Sequence, residues 1–348
     1  MEAYVYNTDL EAIGIIDAFA SLIWTTRYFQ EGDFELYLPV SDKNIKLLQE
    51  NYYLMRPDDD SVMIIKKIKI TTDLENSSYM TVSGPSLESV LGRRIIWRQT
   101  NLSGRVEECI RRLITENAIE PDVLSRKIHR LKLGTLLGFT ETMETQVTGD
   151  NLLTYISETC KAYGWGFKVT IQNNSFVFQL YKGVDRSYNQ NANPYVVFSP
   201  EFDNFMRSEY TLDSTNYSNV ALVAGEGEGA ERRTQIIGDA ADLERYELFV
   251  DARDVSSNSG EITDEEYEQN LVQRGEEKLA ETAITEAYTG EVETRISYKY
   301  KEDYFLGDTI QIKNEYGMEA APIIIEIIES EDENGYTVIP TIATWEVK

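Results

Sequence analysis

The chain has 348 residues and a formal net charge of -27 at pH 7, from 60 acidic and 33 basic residues. A surface this acidic repels polyanions, which argues against binding of DNA or RNA through a basic, phosphate-neutralising surface. Hydrophobic residues make up 42% of the sequence, and no window approaches the roughly 20 consecutive apolar residues of a transmembrane helix. The composition therefore predicts a globular chain of two or three domains.

Residues with nucleophilic or metal-binding side chains are few. Cys109 and Cys160, the two cysteines, fall on apolar stripes of predicted helices, which favours core packing over a disulfide. The one histidine, His129, lies in the basic segment SRKIHRLKL without an activated nucleophile nearby, and zinc sites usually need several His or Cys ligands. We therefore predict no catalytic residue, no cofactor and no metal site, and expect His129 to be exposed or partly buried.

The first segment, residues 1–98, is predicted to be mostly β structure. Ser41 is a candidate N-cap for a short helix that ends near Asn51. The aspartates of Pro57-Asp58-Asp59-Asp60 could bind a divalent cation, but Pro and Asp are favoured in turns, so we predict a hairpin tip there. The strand-like runs of this segment are AYVYN, GIIDAF, LIWTTRYF, FELYLPV, SVMIIKKIKI and SYMTVSG.

The second segment, residues 99–190, is predicted to be a small α/β domain. Ser103 is a candidate N-cap for a helix with apolar residues at helical spacing, and Asp150 precedes a second helix in the same way. Gly164 stands where a left-handed C-cap is expected. The run GFKVTIQNNSFVFQLY that follows predicts a hairpin with its turn at Gln172-Asn173-Asn174.

The third segment, residues 191–348, is predicted to be a second β-rich region with one long inserted helix. Thr263-Asp264-Glu265-Glu266 is a capping box that begins this amphipathic helix, which we expect to run over 263–288. Tyr267, Leu271 and Leu279 recur on its apolar face and are expected to pack on a sheet. The strand-like runs here include YVVFS, SEYTLD, NVALVAG, TRISYKY, DTIQIKN and APIIIEIIES.

A glycine-rich stretch, NVALVAGEGEGAERR, covers residues 219–233. A glycine-rich turn after a strand is the usual setting of a phosphate-binding loop. Here Glu226 and Glu228 would repel a phosphate, and no Lys-Ser/Thr pair follows the glycines. We therefore predict a turn between two strands that binds no nucleotide.

The order of these motifs resembles the hub proteins of long-tailed phages, including the hub-like N-terminal region of tail-associated lysins and the central hub of contractile-tail baseplates. The stretches that carry the resemblance are GDFELYLPV (32–40), SGPSLESVLGRR (83–94), VTGDNLLTYISETCKAYGWGFKV (147–169), NVALVAGEGEGAERR (219–233), ITDEEYEQNLVQRGEEKLAE (262–281) and DYFLGDTIQI (303–312). The resemblance implies an α+β homotrimer in which two β-barrel-like domains per subunit form a pseudo-sixfold ring. In this chain they would be residues 1–98 and residues 191–348, with the small α/β domain between them. Arg232 and Arg233 are then candidates for a subunit contact.

The resemblance also implies partners and a location. The partners are the distal tail or tube protein, the tape-measure protein and a tail-tip or lysin protein. DNA would pass through the ring without specific binding, which an acidic lumen would assist. The protein would belong to the virion tail, be assembled in the bacterial host cytoplasm and be encoded by a phage or prophage. No peptidase or lysin domain follows the predicted second barrel, so we expect cell-wall cleavage to come from another chain.

Two other functions remain open from the residues alone. Glycoside hydrolysis needs two carboxylates and an aromatic groove, and the chain has 60 acidic residues and 22 tyrosines, too many to single out a pair. A tail-tip carbohydrate-binding protein would use exposed Tyr and Trp side chains. Trp24, Trp97, Trp165 and Trp345 lie in or beside predicted core strands, so we expect them in the core.

Overall fold

The computed structural model of the chain describes residues 1–73, 77–204, 207–257, 262–291, 297–313, 317 and 319–344. Most of the regular structure in these residues is antiparallel β-sheet with a few helices, which confirms the α+β class. The strands are β1 (Ala3–Tyr6), β2 (Ala12–Ile16), β3 (Ser21–Arg27), β4 (Asp33–Pro39), β5 (Tyr53–Met55), β6 (Val62–Ile64), β7 (Lys67–Asp73), β8 (Ser77–Pro85), β9 (Thr100–Arg105), β10 (Leu131–Leu133), β11 (Thr142–Val147), β12 (Gly166–Gln172), β13 (Ser175–Tyr181), β14 (Val197–Phe198), β15 (Arg207–Asp213), β16 (Val220–Ala224), β17 (Thr234–Ile237), β18 (Glu247–Asp251), β19 (Thr285–Glu291), β20 (Gln311–Lys313), β21 (Glu319–Ala320), β22 (Ile323–Asp332) and β23 (Gly335–Thr344). The α-helices are α1 (Asp42–Leu47), α2 (Val106–Ile114), α3 (Leu152–Tyr163) and α4 (Asp264–Glu281).

The largest sheet of the described chain joins strands from the two ends of the sequence. Its eight strands have the order β15-β19-β23-β22-β3-β4-β8-β7. Every neighbouring pair is antiparallel. The seam lies between β3 and β22, where Trp24 is opposite Glu329. Strands of segments 1–98 and 191–348 therefore belong to one continuous sheet.

One face of this sheet, here called the covered face, is buried under other elements. On the β3 side, Trp24, Leu36 and Val82 pack against the sheet β2-β1-β5-β6 and against α1. On the β22 side, Ile327 and Ile342 pack against β14, β20 and the loop that follows Tyr298. The hydrogen-bonded strands form facing sheets in the described residues, and they do not close into the predicted barrels.

The α/β unit contains the largest apolar core, and two of its predicted caps need correction. Ser103 lies in β9, where it pairs with Glu144 of β11, so α2 begins three residues later, at Val106. The N-cap of α3 is Asn151, not Asp150, because the Asn151 side chain accepts hydrogen bonds from the backbone amides of residues 153 and 154. The core residues include Val106, Cys109, Ile110, Leu113, Ile156, Cys160, Trp165, Phe167 and Phe178.

Other local predictions for this unit are confirmed. Gly164 ends α3 with a φ of 65°, in the left-handed region. The hairpin β12-β13 turns at Asn173 and Asn174, which also have positive φ, as a type I′ turn requires. The thiols of Cys109 and Cys160 are free and buried, and burial raises both of their pKa values.

The helix predicted over 263–288 is shorter than expected. Its capping box at Thr263 is present, but α4 ends at Glu281 and the chain continues as β19. The sequence from Thr285 is rich in Thr and Tyr, which favour strands, and its backbone pairs with both β15 and β23. Tyr267 and Leu271 are buried against β16 and β18, while Leu279 is half-buried.

The tryptophans do not all lie in the core. Trp24 and Trp165 are fully buried, as predicted. Trp97 is 57% exposed and lies under the guanidinium of Arg126, so the prediction for this residue is wrong. Trp345 lies outside the described residues. Among the described helices, none combines the length and the apolar character needed to cross a membrane.

Candidate assembly surfaces

The glycine-rich stretch is a closed turn between β16 and β17, as the sequence predicts. The backbone amide of Gly225 donates to the carbonyl of Arg233, and the Arg233 amide donates to the carbonyl of Glu226, both at 2.9 Å. A Cβ atom on Gly225 would lie 2.1 Å from the hydroxyl oxygen of Tyr267, so any larger residue would displace that hydroxyl. That hydroxyl accepts a 2.7 Å hydrogen bond from the Glu226 amide. The turn is thereby fixed to α4.

Arg232 and Arg233, the candidate subunit-contact residues, are bonded within their own chain. Arg232 donates to the backbone carbonyls of residues 224 and 225 and to the carboxylate of Asp251. The guanidinium of Arg233 lies 4.1 Å from the centre of the Tyr267 ring and 3.0 Å from the Asp264 carboxylate. Hydrogen bonds from Arg253 and then Arg232 hold the pKa of Asp251 well below its usual range. The subunit-contact role of the two arginines stays a prediction.

The outer face of the small sheet β17-β16-β18 carries an exposed apolar row. Leu222 of β16 is directly opposite Ile236 of β17 and Phe249 of β18. The three side chains are 41%, 64% and 60% exposed, respectively. The Arg232 guanidinium lies 5.8 Å from the centre of the Phe249 ring. The arginine therefore borders an apolar surface that periodicity did not reveal.

The predicted hairpin tip at 57–60 is confirmed, because β5 and β6 pair antiparallel on either side of it. Its acidic side chains are paired with cations of the same chain. Asp59 lies 2.8 Å from Lys301, and Asp58 lies 2.5 Å from Arg56. Lys301 and Arg56 also contact the buried carboxylate of Glu329 in β22. The tip thus joins the two ends of the chain at the seam of the large sheet.

The face of the eight-stranded sheet opposite the covered face is here called the open face. Strand register aligns its side chains in rows that cross several strands. Two such rows are given next, and their charged side chains are those of Glu35, Lys67 and Lys69. The first row is Thr337, Ser330, Ile23, Glu35, Ser83 and Lys67, and the second is Ser21, Tyr37, Thr81 and Lys69.

Beside these rows, ionic groups on the open face are paired. Arg27 of β3 lies 2.6 Å from Glu326 of β22 and 2.6 Å from Asp33 of β4. The hydroxyls of Ser330 and Thr337 form a 2.6 Å hydrogen bond. In these two rows the open face is thus a partly exposed surface, mainly of Ser and Thr side chains, with Ile23, Tyr37 and the charged groups of Glu35, Lys67 and Lys69 among them.

The architecture defined by these observations is that of phage tail proteins. The fold is similar to a tail protein from Neisseria meningitidis MC58, with a TM-score of 0.58, 12% identity, and coverage of 98% of this chain and 96% of that chain. It is also similar to prophage tail protein gp18 from Listeria monocytogenes EGD-e, with a TM-score of 0.56, 14% identity, and coverage of 100% and 96%. A third similar structure is the 43 kDa tail protein of prophage MuSo2 from Shewanella oneidensis, with a TM-score of 0.58, 12% identity, and 98% coverage of both chains.

The particular family follows from the sequence. Residues 2–343 match the siphovirus ReqiPepy6 Gp37-like protein family, and the chain belongs to that family. No curated protein sequence matches it. The predicted resemblance to proteins of long-tailed phage tails is confirmed at the level of family and fold.

Proposed function

We propose that this chain is a structural hub protein of a phage or prophage tail, in which three subunits form a ring around the path of the DNA. The observation that carries the proposal is the division of the large sheet into two similar halves. Each half has a central hairpin, β3-β4 or β22-β23, followed outward by two further strands. Three subunits would supply six such four-stranded units, which is what a pseudo-sixfold ring requires.

The side chains of the open face are compatible with a channel lining along which DNA passes without binding. Basic channels bind DNA because the release of counterions from its phosphates favours association. The two rows of the open face hold two lysines and one glutamate among Ser, Thr, Ile and Tyr side chains, so they offer little of that gain. The acidic lumen expected from the net charge is therefore replaced in this proposal by a nearly neutral one, with most of the acidic residues elsewhere on the subunit.

The relatives support a structural role over an enzymatic one. The similar structures from Neisseria, Listeria and Shewanella are tail proteins by name and are covered over at least 96% of their length. A chain of a PdpA-VgrG complex has a similar fold, with a TM-score of 0.51 and 64% of its length covered. In this proposal the chain has no catalytic activity of its own. It joins the tail tube and tape-measure protein to the tail-tip or lysin protein in the virion, after assembly in the host cytoplasm.

The proposal is tested by the shape and mass of the purified protein. Sedimentation is expected to give the mass of three subunits. Negative-stain images are expected to show a threefold ring with an opening of about 20–40 Å, wide enough for a duplex whose major groove alone is about 12 Å across. A protein that stays monomeric and is absent from purified virions would overturn the proposal. Binding on a glycan array or turnover of peptidoglycan would favour a tail-tip carbohydrate-binding or glycan-cleaving protein instead.

A further inference from the structure

We infer that two surfaces of this chain, one basic and one acidic, bind each other between neighbouring copies. The basic surface consists of Arg93, Arg94, Trp97, Leu124, Arg126 and Lys127. The acidic surface consists of Leu222, Ile236, Asp239, Leu243, Glu244 and Phe249. Both surfaces lie outside the eight-stranded sheet. The inference rests on the proposed function, because it assigns a contact between subunits of one assembly.

The basic surface is an exception in a strongly acidic chain. Residues 93–132 contain ten of the 33 Lys and Arg residues but five of the 60 Asp and Glu residues. Arg94 donates from Nε to the carbonyl of Arg126, and Arg126 donates from Nη2 to the carbonyl of Ile95 at 2.7 Å. Carbonyl groups carry no net charge, so these bonds fix the two guanidinium groups without neutralising them. Among the described residues, no cation of the basic surface forms an ion pair with a carboxylate.

The basic surface also exposes large apolar side chains. The Arg126 guanidinium lies over one face of the Trp97 ring, 4.7 Å from its centre, and the Trp97 amide donates a 2.9 Å hydrogen bond to the buried Asn117 side chain. Leu124, in the turn that contains Arg126, is 80% exposed. Trp and Arg are enriched at the centres of protein interfaces. Because Arg126 covers one ring face and Leu124 is aliphatic, this surface suits a protein with carboxylates and apolar side chains better than stacked bases.

The acidic surface has the opposite charge and a similar apolar content. The exposed apolar row of the small sheet lies next to the loop 238–246, whose Leu243 is 91% exposed. Asn219 fixes this loop to the start of β16, because its side chain donates to the Glu244 carbonyl at 2.8 Å and accepts from the Tyr246 amide at 2.9 Å. Asp239 and Glu244 are exposed, and neither carboxylate forms an ion pair within the described chain. Exposed apolar patches with polar rims mark protein interaction sites.

The acidic surface is directed away from the α/β unit of its own chain. The inner face of the small sheet is covered by α4, with Leu271 in the shared core. The same helix contacts β11 of the α/β unit, where Arg274 donates to the carbonyl of Gln146 at 3.3 Å. The outer face of the small sheet is therefore on the far side of α4. This position suits contact with a neighbouring copy, and a head-to-tail contact between two different surfaces can close into a ring.

Charge favours the opposite surface of a second copy as the occupant. Two basic surfaces, or two acidic surfaces, would place like charges together, and such juxtaposition suppresses wrong partners. The pairing of unlike surfaces instead brings the unpaired cations of one copy to the unpaired carboxylates of the next. It also covers Trp97 and Phe249, whose exposure nothing else in the described chain explains.

Charge reversal tests the contact. The full-length variants Arg93→Glu/Lys127→Glu and Asp239→Lys/Glu244→Lys are each expected to weaken subunit association at least about tenfold, because each places like charges across the contact. In the described chain these four side chains form no hydrogen bond or ion pair, so we expect each variant to fold. Combining the four substitutions in one chain is expected to restore association.

The matched control is Lys43→Glu/Lys46→Glu on α1, which makes the charge change of the basic-surface variant at exposed positions outside both surfaces. Sedimentation at fixed salt gives the association constant of each protein. Duplex DNA serves as a second probe of the wild type. DNA binding that is lost in the basic-surface variant would overturn the inference, because the basic surface would then bind a nucleic acid.

Photo-cross-linking identifies the occupant of the basic surface. The variant Trp97→p-benzoylphenylalanine is expected, after irradiation of the purified assembly, to join two chains at residues 236–249 of the second chain, as located by mass spectrometry. The same replacement at Ile45, exposed on α1, is expected to give no such product. Cross-links elsewhere, with an unchanged association constant in both charge-reversed variants, would overturn this contact while leaving the hub proposal intact. A wild-type protein that stays monomeric would overturn both.

Discussion

Arg56 and Glu329 lie 273 positions apart in the sequence and form a buried ion pair, with Nη2 of Arg56 2.9 Å from Oε1 of Glu329. Both side chains are 1% exposed. Glu329 also accepts hydrogen bonds from Lys301 at 3.1 Å and from the Tyr336 hydroxyl at 2.5 Å. The pair fixes the hairpin tip of the first segment to β22, beside the seam of the large sheet.

Removal of this carboxylate is expected to destabilise the whole chain. Glu329→Ala removes the buried partner of the Arg56 guanidinium and leaves it only the exposed carboxylate of Asp58, and breaking a buried ion pair typically costs about 3–5 kcal/mol. The control Glu333→Ala, in the exposed turn between β22 and β23, is expected to change stability by less than about 0.5 kcal/mol. Urea denaturation measures both. If Glu329→Ala lowers the free energy of unfolding no more than the control does, the structural role of the ion pair is contradicted.

Glu88 gives a prediction about pH. Its carboxyl group is buried and accepts a 2.7 Å hydrogen bond from the Val169 amide, and burial raises its pKa despite that bond. A carboxyl group with a raised pKa in the folded state stabilises the fold below its unfolded pKa, and that contribution is lost as pH rises through the folded pKa.

Glu88→Gln is therefore expected to become more stable relative to the wild type as pH rises above about 4.3, the pKa of an unperturbed Glu. The Gln side chain keeps a carbonyl oxygen for the Val169 amide. Denaturant midpoints measured between pH 4 and pH 8 give the difference. Glu144→Gln, at an exposed position in β11, is the control. A difference that does not vary with pH would mean that Glu88 ionises normally in the folded chain.

The inner face of α4 gives a prediction about packing. Leu271 is 1% exposed among Tyr267, Val223 and Val250, so Leu271→Ala is expected to cost about 2–5 kcal/mol. Leu279 is half-buried near the end of the helix, so Leu279→Ala is expected to cost less than Leu271→Ala. Val272→Ala, on the outer side of α4, is the control, since Val272 is 36% exposed. Thermal and urea unfolding give these values, and equal losses at 271 and 272 would count against the observed orientation of the helix.

The arginines of the glycine-rich turn give a prediction with two readouts. The double variant Arg232→Ala/Arg233→Ala removes the bonds to Asp251 and Asp264, so we expect a lower melting temperature. If the two arginines also contact a neighbouring subunit, the double variant is expected to form fewer trimers at a temperature where it is still folded. Arg253→Ala is the control, because Arg253 is 67% exposed and also pairs with Asp251. An association constant equal to that of the control would remove the subunit-contact role.

Much of the fold could be predicted because its signals are local. The hairpin turn at Asn173 and Asn174, the cap at Gly164 and the capping box at Thr263 each depend on a few adjacent residues. The end of α4 was misplaced because its four-residue apolar spacing continues through Ala283, although the chain then pairs as β19. Pairing partners, not propensity, decide that boundary.

The seam and the sheet edges could not be predicted, because they depend on contacts between distant parts of the chain. Trp24 and Glu329 become neighbours only when β3 and β22 pair, and no local pattern specifies that partner. The alternation Lys67-Ile68-Lys69-Ile70 indicated a strand, but that it is an edge strand follows only from the order of the sheet. Likewise, tryptophan is a residue type that is usually buried, but the side chain of Trp97 is exposed.

The seam between β3 and β22 also constrains how the chain folds during synthesis. The ribosome makes β3 about 300 residues before β22, so the β3 edge of the half-sheet β3-β4-β8-β7 has no partner until β22 has been made. Contacts this distant in sequence are slow to form. A chain released early would carry an open β3 edge in place of the seam. The large sheet therefore forms only after β22 and β23 have been made, which ties the completed subunit surface to synthesis of both halves of the sheet.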